Sequence, residues 1–152
     1  LITYLLVFLA GAAPGFEVLV AVPLGILRGM SLATAVMVGF AGNALTIVLE
    51  ILVFQKLKKW WESKKKTDVK TSSKRTARAE KIWTRYGVPG LALLGPVLIG
   101  SHLAAFLALA LGSSKSQTAI WLLLSLAIWS IVFGTLTVLG VDAFFWTRQK
   151  VG

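Results

Sequence analysis

The chain has no cysteine among its 152 residues, so it can build no disulfide framework, thiol nucleophile or thiolate metal site. One histidine, His102, and six acids are too few for a metal centre within one subunit. Charge is scarce too: 14% of residues are charged against 57% hydrophobic. The mean hydropathy of +0.80 excludes the usual soluble balance. Acids are scarcer than bases, and the net charge of +10 could suggest a nucleic-acid partner. Twelve of the sixteen Lys and Arg, however, lie between Lys56 and Arg85, and no base-reading module is present. The basic charge therefore belongs to one segment beside a membrane, with no nucleic acid implied. The chain opens at Leu1, and no signal peptide is assigned to it.

What is present is apolar sequence with room for about four spanning helices of roughly 20 residues each. Residues 1–27 are apolar apart from Glu17, which Pro14 and Pro23 flank, with Gly15, Gly25 and Gly29 close by. Such breakers and a buried acid are tolerated in a bilayer only where protein or a wet cavity satisfies them. Two readings stay open for residues 1–29: one kinked crossing, or a short helix followed by a re-entrant hairpin. Residues 31–54 form a clean span with Gly39, Asn43, Thr46 and Glu50 on one helix face.

Residues 55–86 are a basic cytoplasmic loop. Two readings stay open for its later part: an amphipathic helix with Ala79, Ile82, Trp83 and Tyr86 on one side and basic residues facing lipid phosphates, or a solvated basic loop kept there by the positive-inside rule. Residues 88–111 are a second broken or re-entrant segment, with Pro89, Gly90, Pro96 and Gly100 as its breakers. Residues 118–141 are another span, with a small-residue stripe at Ala127, Ser130, Gly134 and Thr137. The basic loop and the C-terminus are expected in the cytoplasm, and the turns near Ser31 and Ser114 outside. The halves also echo each other. Pro14-Gly15 and Gly25 match Pro89-Gly90 and Gly100, and Ser31-x-x-Thr34-Ala35 matches Ser116-x-Thr118-Ala119.

Depth arithmetic selects the candidate site. At about 1.5 Å per residue, Glu17 lies roughly 16 Å from Arg28, Asn43 about 18 Å from Ser31 and His102 about 15 Å from Gly112. Each is near the middle of a hydrocarbon core about 30 Å thick, and Ser130 comes out at a similar level. Glu17 is the leading substrate- or proton-binding residue, because an ionised acid at that depth is costly and a carboxyl that takes up and releases a proton can exchange it for a cation. His102 would pair with Glu17 or relay its proton, or, as lone histidines more commonly do, donate to a backbone carbonyl. Arg28 at the outer mouth would meet an anionic head group or snorkel to the interface. Glu50 and Asp142, near the cytoplasmic ends of their spans, would be neutralised by the basic loop. Ser101 and His102 are adjacent on a helix and rarely meet, so no hydrolytic dyad is read.

Glu17, Pro23-Leu24-Gly25 six residues later and Gly42-Asn43 together resemble the small multi-drug export protein family. YGVPGLALLGPVLIGS at 86–101 is similar to that family's second characteristic region. The family is in turn distantly similar to the DedA-type membrane proteins, whose facing re-entrant loops are linked to lipid-phosphate transport. Two departures stand out: Leu19 replaces an Arg often found two residues after the Glu, and VLIGS at 97–101 replaces a Pro-Gly-Thr-Gly-type loop. The first leaves Glu17 without its nearest counter-charge.

The expectation is an all-α polytopic integral membrane protein of the cell membrane. It would have three to four transmembrane helices, with Pro/Gly-broken or re-entrant segments in two pseudo-repeated halves. It would be a transporter rather than an enzyme, without cofactor or metal, exporting small amphipathic or cationic compounds in exchange for protons near Glu17. The alternatives are movement of a lipid-linked phosphate and a non-transporting scaffold or subunit. Partners would be membrane lipids, a small-molecule or lipid substrate and further copies of the chain, with Gly25-x-x-x-Gly29 permitting close helix contact.

Overall fold

The computed structural model describes the backbone of residues 1–65 and 74–151, and side chains over most of 1–59 and 81–146. Six helices make up the described residues: α1 (Ile2–Ala12), α2 (Glu17–Leu27), α3 (Leu32–Lys65), α4 (Lys74–Leu98), α5 (Ser101–Ala110) and α6 (Lys115–Val151). No strand occurs among the described residues. The chain divides into two units, 1–43 with 127–152, and 44–126.

The breaks follow from backbone chemistry. Pro14 cannot donate to α1, and Gly15 next to it takes φ 94°, so the helix stops. Gly87 bends α4 with φ 63° and ψ −154°, and Gly100 opens α5 at φ 95°. One junction occurs twice. Gly29 at φ 86° closes α2, with its N–H donating to the Ile26 carbonyl and that of Met30 to Gly25. Ser31 then caps α3, its Oγ accepting from the Thr34 N–H at 3.3 Å. Gly112 at φ 104° closes α5 in the same way, with Ser113 N–H donating to the Ala108 carbonyl. Ser114 then caps α6 by accepting from the Gln117 N–H at 3.2 Å. Both are glycine C-caps followed by a serine N-cap.

This junction corrects the expected echo. Ser31 corresponds to Ser114 rather than Ser116, and the break after Pro14-Gly15 corresponds to the one at Gly100 rather than to Pro89-Gly90. The expected hinges are sorted likewise. Pro14, Gly15 and Gly100 lie at breaks and Pro89 and Gly90 directly follow the break at Gly87, whereas Pro23, Gly25 and Pro96 lie inside helices. The break before Pro89 falls on Gly87, the first residue of the GVPG run.

Among the described residues two helices are long and apolar enough to cross a membrane, over Leu32–Phe54 and Lys115–Phe144. The first agrees with the expected span at 31–54, although α3 continues to Lys65 into the expected loop. The second is longer than the expected 118–141. The other apolar sequence is folded into pieces of 11, 11 and 10 residues, α1, α2 and α5, and the part of α4 after Gly87. Both long helices keep an unburied apolar stripe. It comprises Met37, Leu45, Leu49 and Leu52 on α3, and Ile120, Leu124, Ile128, Ile131 and Leu139 on α6. Stripes of that extent mark contact with lipid or another protein. Part of the expected amphipathic helix, with Ala79, lies outside the described side chains. Tyr86 at its end is exposed.

In the first unit α1 and α2 form a helical hairpin. A methyl carbon added at Gly25 would meet Val7 of α1 at 3.2 Å, although 18 residues separate the two; a straight helix would part them by about 27 Å. The first segment is therefore not one kinked crossing. Gly25 also faces Ala35 and Met30, so its small surface is filled by its own chain rather than open to another copy. Val7, Val18, Ala21, Val22 and Ala35 are fully buried around this contact.

In the second unit the part of α4 after Gly87 and α5 make another hairpin, with Gly95 against Ala104. α5 runs alongside α3 in the same direction. Glu50 contacts His102, and one turn on in both helices Phe54 meets Phe106 edge-on with ring centroids 5.5 Å apart. Lys115, the first residue of α6, donates from Nζ to the Leu52 carbonyl at 3.3 Å. The Ser114 turn is thus at the Phe54 end of α3, where the basic segment begins. This corrects the expectation that it lies on the opposite face.

Candidate functional site

Glu17 opens α2 immediately after the α1–α2 turn and is only 4% exposed. Its φ of 53° makes it the one residue other than glycine in the left-handed region among those described. That conformation costs an L-residue about 1–2 kcal/mol and persists where the surroundings over-determine it, commonly at functional positions. The register of α2 on α3 shows what stands beside it. Gly25 packs on Ala35, and Gly39 meets Ala21 and Val22. Each step of four down α2 is a step of four up α3, so the next pair is Glu17 with Asn43.

Asn43 is fully buried, as is Ser130 on α6. Ser130 lies one turn before Gly134, which packs against Val22, Leu32 and Val36 of α2 and α3. None of Glu17, Asn43 and Ser130 is without a partner. Glu17, Asn43 and Ser130 are thus an acid, an amide and a hydroxyl buried within one unit. Such a set can hold a proton or bind a hydrogen-bonding cation. Arg28, at the far end of α2, is exposed and about 16 Å from Glu17 along the helix.

His102 is placed in the second unit, not with these three. Its Nδ1 is 2.8 Å from Oε2 of Glu50, with the side chains 15% and 14% exposed. Its Nε2 is buried without a hydrogen-bond partner among the described residues. The described partner of His102 is therefore an acid that the sequence reading had assigned to the basic loop. The signal was present: Glu50/Phe54 and His102/Phe106 repeat one polar-then-aromatic spacing of four. No group of three or more His, Cys, Asp or Glu that could hold a metal ion occurs among the described residues.

The chain matches the family described as Putative small multi-drug export protein over residues 17–132, from the first residue of α2 into α6. No curated protein and no solved structure matches it.

Proposed function

The chain belongs to the small multi-drug export protein family, and on that premise we propose that it is a membrane transporter exporting small amphipathic or cationic compounds in exchange for protons bound at Glu17. The observation that carries this reading is the burial of that carboxylate at the tip of the α1–α2 hairpin, level with Asn43. At 1.5 Å per residue, Asn43 is about 18 Å from Ser31 and about 16 Å from Phe54, close to the middle of a hydrocarbon core about 30 Å thick. An ionised acid at that depth is costly, and exchanging a proton for a cation at Glu17 would keep the site neutral in both states. Asn43 and Ser130 would supply polar contacts to the cation.

The topology proposed with it uses α3 and α6 as full crossings. An 11-residue helix reaches about 16 Å, half the core, so the α1–α2 hairpin would enter and leave by one face, and the hairpin of α4 and α5 would do likewise. With the basic segment cytoplasmic by the positive-inside rule, the Ser114 turn is cytoplasmic as well. α6 then carries the C-terminus to the outer face, opposite to what charge alone suggested. Two crossings enclose no pathway unaided, which favours a homo-oligomer in the cell membrane.

The test is substrate-induced proton movement in proteoliposomes, with a panel of lipophilic cations and one polyprenyl phosphate, comparing wild type with Glu17→Gln. Flux driven by cations and abolished in the variant is the expected result. No response to any cation from a folded, inserted protein would overturn the reading, and a response to the phosphate alone would replace it with lipid-phosphate transport.

A further inference from the structure

The apolar part of the second unit contains very few titratable groups. Over 44–54, 88–98, 101–110 and 115–126 there are three: Glu50 on α3, His102 on α5 and Lys115 on α6. The stretch of α4 after Gly87 contributes none. Lys115 directs its Nζ to the Leu52 carbonyl, and Glu50 and His102 meet through Oε2 and Nδ1 at 2.8 Å. We propose that Glu50 and His102 form a proton-binding site of their own, in which Glu50 holds the Nδ1–H of the ring and a proton is taken up and released at Nε2.

The argument is one of donors and charge. An ionised carboxylate can only accept, so beside it Nδ1 carries the hydrogen and the ring's remaining lone pair is at Nε2. With a proton on Nε2 the pair is imidazolium and carboxylate, with no net charge. Without that proton it carries one negative charge among Ile47, Ile51, Phe54 and Phe106, all buried, where an uncompensated charge is costly. The proton-free pair therefore attracts a proton or another cation. The buried Nε2 without a described partner points the same way, because leaving such an atom unsatisfied costs about 1–3 kcal/mol. A general base needs its lone pair positioned and its tautomer locked by a neighbour, and Glu50 provides that lock. This site does not depend on the Glu17 reading.

The test exploits the single histidine: every imidazole signal belongs to His102. The full chain, purified with a histidine-free tag and labelled with 15N-histidine, would be titrated by NMR in lipid nanodiscs. The expected spectrum at high pH is the Nδ1–H tautomer with a bare Nε2. As pH is lowered, the Nε2 resonance should move to the N–H position with uptake of one proton. In Glu50→Gln the Nδ1–H tautomer should lose its dominance. A wild-type ring that carries its only hydrogen on Nε2, or whose Nε2 does not respond at any pH the folded protein tolerates, would overturn the proposal. The wild-type titration decides the question even if the variant does not fold.

Discussion

Replacing Gly42 with alanine should loosen the docking of α1 on α3. A methyl carbon at Gly42 would lie 2.1 Å from the Phe8 carbonyl oxygen and 3.1 Å from the Ala12 amide nitrogen. Comfortable non-bonded contact begins at about 3.5 Å, so the two backbones must part by more than about 1 Å. A gap of that size forfeits a quarter to a half of the dispersion energy at each atom pair across the contact. The loss extends to Gly11, where an added carbon would come within 2.3 Å of the Gly39 carbonyl oxygen, which measures how tightly these backbones lie together. Overpacking of this kind costs about 1–3 kcal/mol, against a helix-propensity gain of up to about 1 kcal/mol for alanine over glycine. With the full propensity gain, the net expectation is a loss of up to about 2 kcal/mol. Gly140→Ala on α6 is the matched control, since nothing lies within 4 Å of the added carbon; it should be neutral or slightly stabilising. Reversible unfolding by SDS in mixed micelles, followed by tryptophan fluorescence, would measure both. Gly42→Ala proving as stable as Gly140→Ala would refute the close approach of α1 and α3.

Two further expectations concern the second unit. Phe54→Ala and Phe106→Ala should each cost about 3–5 kcal/mol, with a coupling of about 0.5–1.5 kcal/mol in a double-mutant cycle; additive losses would count against the parallel register of α3 and α5. Because the chain has no cysteine, single cysteines report sidedness cleanly. Lys56→Cys and Ser114→Cys should react with an impermeant maleimide from the same face of a vesicle, and Ser31→Cys from the other. Labelling of position 114 together with position 31 would sink the topology.

The helices were legible because apolar runs broken by Pro and Gly leave few alternatives. The span at 31–54 needed only its hydropathy, and Glu17 was conspicuous as the sole acid in its run. What periodicity could not supply was direction. Whether residues 1–27 cross or fold back depends on Val7 meeting Gly25, a contact between positions 18 residues apart that no local pattern encodes. The same gap separated His102 from Glu50: depth counted from Gly112 assumed that this turn faced outward, and the assumption failed at the α3–α5 pairing. Gly87 stood in the GVPG run that marks the start of the third element, and the bend falls on it rather than on Pro89, because a proline near the start of a helix is tolerated and a positive φ favours glycine.

The short hairpins also bear on how the chain is made. A segment of 11 residues is too short to be held across a bilayer as it leaves the ribosome, and α1 and α2 emerge before the helix they pack against. Gly25 meets Val7 within the hairpin, but its contact with Ala35 and those of Ala21 and Val22 with Gly39 form only once α3 has arrived, so the first hairpin waits without a scaffold during synthesis. The second hairpin has no such delay, because the face of α3 bearing Glu50 and Phe54 is already in place when His102 and Phe106 appear. The two hairpins thus differ in their order of assembly, the first preceding and the second following the helix it packs against.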